Sequence, residues 1–226
     1  MSIPASATTR TLTCRAVLFD MDGTLVDSTA VVEQVWSEFA GRYGLDFAEI
    51  LRTSHGVRAG DTVRRFAPDG ADVAALTDEL GAMERVRTHG IVALPGAAEL
   101  LRILPADAVA LVTSADRILA DIRMEAAGLA MPATAVTADL ITYGKPHPEG
   151  YLRAATLLGV APAEALVFED APAGITAGLA AGIRTVAVGP NTGPLPDGVL
   201  HIADYSSVSA TLDTDAAGRR VISFLL

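Results

Sequence analysis

The chain has 226 residues, half of them hydrophobic and 19% charged. That is long enough for one large domain or for a core domain with an insertion, and too apolar for disorder. A formal net charge of −10 works against nucleic acid and anionic membrane surfaces as partners. The lone cysteine, Cys14, has no internal disulfide partner and reads as an inert packing residue; with no charged-then-apolar leader at the start, the expected compartment is the cytoplasm.

In chain order, residues 1–15 read as a loose lead-in. Val17 to Phe19 form an apolar run too short and too rich in strand formers for a helix, and Gly23 with its polar neighbours ends the run, so a buried parallel strand is expected. Asp20 and Asp22 follow at its carboxyl end, the end that faces the ligand crevice in an open α/β sheet. Two carboxylates so close repel and raise one pKa unless a cation separates them, which points to a metal site or an acid/base pair.

Residues 29–43 place Val32, Val35, Trp36, Phe39 and Ala40 at helical spacing, with Ser28 as the expected N-cap. The pattern stays helical to about residue 94, broken by Gly44, Gly60, Pro68-Asp69-Gly70 and Gly90, with no strand evident. Helices placed directly after a first strand predict a small helical domain, residues 29–93, on a core made of residues 1–28 and 94–226.

After Pro95-Gly96 the chain alternates: a helix to about 104, strand 108–112, helix 116–127, strand 133–137, helix 148–158, strand 165–168, helix 172–181, and strands near 185–188 and 199–202. The alternation predicts an α/β fold, a Rossmann-like doubly wound parallel sheet carrying an inserted α-helical domain. Residues 213–226 are ambiguous, with one last strand at 219–226. The apolar stretch 171–190 is interrupted by Pro172, Arg184 and Pro190, so it divides into helix and strand instead of spanning a membrane. Gly174, Gly178 and Gly182 give that helix a smooth face to lie on the sheet.

Three more polar groups follow predicted strands. Thr113-Ser114 end strand 108–112, and Glu169-Asp170 end strand 165–168. Lys145, in Gly144-Lys145-Pro146-His147-Pro148, is the single lysine among seventeen Lys and Arg residues. A compact ammonium suits a position among several oxygens.

The run DMDGTLVDS, residues 20–28, resembles the signature of the haloacid dehalogenase superfamily, whose members are mostly phosphatases. Thr113, Lys145 with its Pro-x-Pro, and Glu169-Asp170 match the later motifs in order, and the resemblance spans residues 15–204. It implies that Asp20 is a nucleophile forming an aspartyl-phosphate, and that Asp22 protonates the leaving oxygen and later activates water. It implies that Thr113 and the Ser114 amide hold a phosphoryl oxygen and that Lys145 neutralises the centre. Magnesium would be bound by Asp20, the Asp22 carbonyl and Asp170, with Glu169 as a ligand or one step behind. Asp20, Asp22, Glu169 and Asp170 beside a dianionic phosphate would require that divalent cation as well as Lys145.

Within the superfamily, Asp22 excludes the dehalogenases, which lack this second aspartate, and an insertion without lysine disfavours phosphonate hydrolysis. Mutases of the β-phosphoglucomutase type place a histidine four residues before the tryptophan of the first inserted helix; here Trp36 is present but that position is Val32. Ser54-His55-Gly56, residues 90–96 and Val112-Thr113-Ser114 look like the branch of 2-deoxyglucose-6-phosphatases and glycerol phosphatases. The expected partner is therefore a small sugar or polyol phosphate, acted on by a monomer or small homo-oligomer. Phosphoglycolate hydrolysis, a phosphomutase and a non-catalytic phosphate-binding module are the alternatives. Glu33, His55 and Arg58 are expected to reach sugar hydroxyls, and His89 and His147 to lie on the surface or in loops. A helical cap would close by hinging near residues 24–27 and 94–96.

Overall fold

The computed structural model describes residues 10–190 and 194–226. Two strands, β1 (Thr11–Cys14) and β2 (Ala16–Phe19), are followed by a short β3 (Val26–Asp27) and four helices: α1 (Thr29–Tyr43), α2 (Phe47–Ser54), α3 (Ala59–Phe66) and α4 (Val73–Arg85). The chain returns through β4 (Val92–Ala93) to α5 (Ala97–Ile103), β5 (Val109–Val112), α6 (Arg117–Ala126), β6 (Thr134–Val136) and α7 (Glu149–Leu157). It continues with β7 (Ala165–Glu169), α8 (Pro172–Ala180), β8 (Arg184–Val188), β9 (Leu200–Ile202), β10 (Ser209–Thr214) and β11 (Arg220–Leu225).

Six strands pair in parallel in the order β6-β5-β2-β7-β8-β9. Alternation along the strands supplies both faces. Val17, Phe19, Leu111, Leu166 and Phe168 enter one apolar cluster, while Leu18, Ala110, Val112 and Val167 meet Tyr151 and Ala154 of α7 and Ala177 of α8 on the other. Strands covered on both faces read as continuous apolar runs, which is why the sheet was visible in the sequence. β2 lies between β5, which follows it in this sheet, and β7, which the chain reaches only after β6, so the direction of winding reverses at β2 and the carboxyl ends of these three strands bound one crevice. Beneath it, Phe19 stacks on Phe168 at 5.2 Å between ring centroids, and Tyr205 meets Phe168 edge-on at 5.6 Å. Each such pair adds about 0.5–1.5 kcal/mol beyond its buried area, and Phe19 and Phe168 directly precede Asp20 and Glu169.

The helical insertion has its own core of Val35, Trp36, Phe39, Ile50, Val63, Leu76 and Leu80. Its two connections to the sheet pair with each other: Val26 lies opposite Ala93 and Asp27 opposite Val92, antiparallel.

Several local expectations need correction. Residues 1–9 of the expected lead-in lie outside the described residues, but residues 11–14 are strand β1, paired with β11, which also pairs with β10 in a separate antiparallel sheet. β4 supplies a short strand where the sequence showed only helices. Gly60 does not break a helix; it sits in the first turn of α3. Ser28 precedes α1 but does not cap it, because its hydroxyl is engaged elsewhere. Gly178 does let α8 approach the sheet, since a Cβ there would lie 2.5 Å from Thr185 Oγ1, whereas Gly182 instead takes a positive-φ turn after the helix. Among the described residues, no helix is long and apolar enough to cross a membrane.

Candidate active site

A cavity of about 190 Å³ lies between the strand ends and the helical insertion. Asp20, Asp22, Gly23, Thr113, Ser114 and Asp170 line its sheet side. Val32, Trp36, His55, Thr77, Asp78 and Glu84 line the insertion side.

Asp20 is held by the ladder itself: its amide donates to the Phe168 carbonyl at 3.0 Å, and its side chain is almost fully buried. Lys145, also buried, donates to Asp20 Oδ1 and, at 2.6 Å, to Glu169 Oε1. Glu169 is engaged on both oxygens, its Oε1 also accepting from Tyr151 Oη at 3.1 Å and its Oε2 from the Ala171 amide at 2.8 Å. Its carboxylate lies where a side chain at residue 174 would be: a Cβ there would come within 1.5 Å of Glu169 Oε1, so Gly174 is required. Gly23 makes the equivalent space for Asp170, since a Cβ would lie 2.0 Å from Asp170 Oδ2, and its φ of +80° suits glycine besides. Among the described residues, the Asp170 carboxylate has one modest side-chain partner, Thr24 Oγ1 at 3.4 Å.

One oxygen from each of Asp20, Glu169 and Asp170 lies within 4.8 Å of the others. Burial pushes the Asp20 carboxyl up to about 7; Lys145 pulls it down and the Glu169 charge raises it further. Asp170 stands well above the ordinary carboxylate range for the same reasons, burial first and then the Glu169 and Asp20 charges. For Lys145, burial works against the charge, but Asp20 and Glu169 outweigh it and the ammonium is held above its usual value. Three carboxylates facing one ammonium leave a deficit of positive charge. An all-oxygen set with that deficit fits a hard divalent cation such as magnesium.

The Asp22 carboxylate turns away from this cluster. Ser28 Oγ donates to Asp22 Oδ1 at 2.6 Å, and Arg123 Nη1 donates to Oδ2 at 2.7 Å. Thr113 is buried, its amide paired with the Val136 carbonyl at 3.0 Å and its Oγ1 accepting from the Ala115 amide at 3.1 Å. The Ser114 hydroxyl reaches across to the insertion and donates to the Gly56 carbonyl at 2.7 Å.

Of the insertion residues expected at the substrate, only His55 lines the cavity. Glu33 is exposed, one residue beyond Val32, because a single helical step of α1 turns it from the cavity toward solvent. Arg58 is committed elsewhere, pairing with Asp61 at 2.8 Å and donating to the Thr142 carbonyl at 3.1 Å. Sequence reasoning missed Tyr151, Arg123 and Glu84. A signal for two of them existed. Arg123 shares the buried face of α6 with Leu119, Ala120 and Met124, and Glu84 continues the Leu76, Leu80 stripe of α4. Each is a lone charge on an apolar stripe, and the two are opposite in sign.

The sequence model of the haloacid dehalogenase-like hydrolases matches residues 14–182. Hexitol phosphatase A of Escherichia coli is 46% identical over 179 residues, covering 77% of this chain and 83% of that protein. 2-Deoxyglucose-6-phosphate phosphatase 1 of Saccharomyces cerevisiae is 36% identical over 196 residues, 76% and 78% of the two chains. In structure, a β-phosphoglucomutase from Clostridium difficile superposes with a TM-score of 0.74 at 22% identity, covering 85% of this chain and 92% of that one. At that identity the likeness concerns the fold alone.

Proposed function

The chain belongs to the haloacid dehalogenase-like hydrolases and is a phosphatase of that family; on that premise we propose that it hydrolyses small sugar or polyol phosphates through an aspartyl-phosphate on Asp20. The observation that carries the reading is the pairing at the cavity floor: a buried carboxylate, Asp20, neutralised by Lys145, with Asp22 beside it held apart by its own partners.

Asp20 attacks phosphorus in line, and the alcohol leaves as Asp22 gives it a proton. Asp22, now a base, takes a proton from the water that hydrolyses the aspartyl-phosphate. Thr113 and the Ser114 amide orient the phosphoryl oxygens, and Lys145 keeps the Asp20 region neutral enough for a dianion to approach. Asp20, Asp170 and the Asp22 carbonyl would hold magnesium, with Glu169 positioned through Lys145, and the ion would add positive charge against the phosphoryl oxygens. We assign residues 29–93 as a cap over the core of residues 1–28 and 94–226, in a cytoplasmic monomer or small homo-oligomer.

Val32 lines the cavity at the position where mutases of the β-phosphoglucomutase type hold histidine, and an isopropyl group can neither donate nor accept a proton there. This supports net hydrolysis over isomerisation. The names of the two curated relatives favour hexitol and hexose phosphates. The test is phosphate release, with magnesium, from hexitol, 2-deoxyhexose, hexose and glycerol phosphates and phosphoglycolate, while β-glucose 1-phosphate is followed for isomerisation. Release from the sugar and polyol esters, silenced by chelation and restored by magnesium, is expected. Isomerisation without release would make the protein a mutase, and a chelator-resistant rate would remove the metal.

A further inference from the structure

Arg123 is the one guanidinium among the described residues that joins a residue of the proposed phosphoryl chemistry to the helical insertion. From α6 of the core, Nη1 reaches Asp22 Oδ2 at 2.7 Å, and Nη2 reaches Glu84 Oε1 at 2.8 Å on α4 of the insertion. Arg123 and Glu84 are both buried, with side-chain exposures of 6% and 8%, and both line the cavity. Other contacts cross the same boundary: Arg85 pairs with Asp116, which has no part in the proposed reaction, and Ser114 reaches Gly56 through its hydroxyl, whereas the proposed reaction uses its amide.

We infer that Arg123 is a positioning residue for Asp22, and that Glu84 ties the orientation of this acid to the docked state of the insertion. The inference rests on the reading of Asp22 as the proton donor. A planar fork with two carboxylates on separate nitrogens has its plane fixed; with Glu84 withdrawn, one contact remains and the plane can swing about it. Asp22 Oδ1 stays on Ser28 in either case. The carboxylate therefore has one anchor in the connecting segment and one whose rigidity depends on α4. Aligned proton transfer then arrives only when the insertion has closed over a substrate, which restrains Asp22 from activating water at an open site. No atoms are exchanged in this step; the guanidinium keeps its protons throughout.

The discriminating readout is the leaving group. An alkoxide needs a proton as it departs, whereas p-nitrophenolate does not, so a fault in aligning the acid slows the first phosphoryl transfer from alkyl phosphates and spares p-nitrophenyl phosphate. Single-turnover rates should be measured on both substrates for the wild type, Arg123→Lys, Glu84→Gln and Asp22→Asn, with urea unfolding of each. Arg123→Lys is expected to slow transfer from glycerol 1-phosphate by about 10- to 100-fold, the scale of a misaligned catalytic group. The isosteric Glu84→Gln should lose about 3- to 10-fold in the same direction with KM little changed, and it tests the inference if Arg123→Lys does not fold. Equal losses on both substrates, or no loss in either variant, would overturn the inference while a selective loss in Asp22→Asn kept the acid assignment. An Asp22→Asn enzyme slowed equally on both substrates would remove the acid assignment, and the positioning role with it.

Discussion

Two buried cations stand on either side of the Asp20-Met21-Asp22 segment, each between two carboxylates. Lys145 joins Asp20 to Glu169, and Arg123 joins Asp22 to Glu84. The first group belongs entirely to the sheet and its loops: Asp20 and Glu169 are at the ends of adjacent strands, and Lys145 is on the loop before α7. The second straddles two bodies with separate apolar cores. A point charge suits the first, where the oxygens converge; a fork suits the second, where two acids arrive from different elements. One centre is thus built from the sheet and its loops alone, while the other takes one of its carboxylates from the helical insertion.

The largest effect expected is at the fixed centre. Asp20→Asn should lower turnover by roughly 10⁴-fold or more, since it removes the proposed nucleophile, while urea unfolding stays cooperative; retained turnover would show that the reacting carboxylate is another one. Lys145→Arg should cost about 10²- to 10³-fold in kcat, because a guanidinium cannot take the place of an ammonium buried between Asp20 and Glu169. A variant near wild-type rates would break the contrast between the two cations. Gly174→Ala tests the same centre without touching a charge. Its Cβ would collide with Glu169, so a loss of about 2–4 kcal/mol in urea unfolding is expected. The matching change in the insertion, Gly41→Ala, meets nothing within 4 Å in the last turn of α1 and should stabilise by about 0.5–1 kcal/mol. Similar effects at residues 41 and 174 would contradict the tight fit around Glu169.

The division between the two centres also marks what the sequence disclosed. Asp20, Thr113, Glu169 and Asp170 each end an apolar strand, and Lys145 is conspicuous as the sole lysine, so chain order and strand ends were enough to bring them together. Arg123 and Glu84 lie in ordinary helices with their partners 101 and 39 residues away, and neither helix states which other helix its charge will meet. Glu33 was misplaced for a related reason: periodicity shows which positions share a face, but not which face meets the cavity. β10 escaped notice because its residues are mostly exposed, so the antiparallel pairing with β11 shows no continuous apolar run. Cys14, read as inert, is buried at the end of β1, and burial pushes its thiol up to about 12.

The pairing of β3 with β4 has a consequence for how such a protein can diversify. Because Val26-Asp27 and Val92-Ala93 run side by side, the segment between them leaves and rejoins the core through one doorway. Its outward and homeward strands are hydrogen-bonded to each other, so the two connections form one structural element instead of two separate linkers. To the sheet, everything beyond that doorway is a cassette whose length and shape are immaterial so long as its two ends meet, so new specificities can be fitted there without rerouting the strands that hold the phosphoryl chemistry.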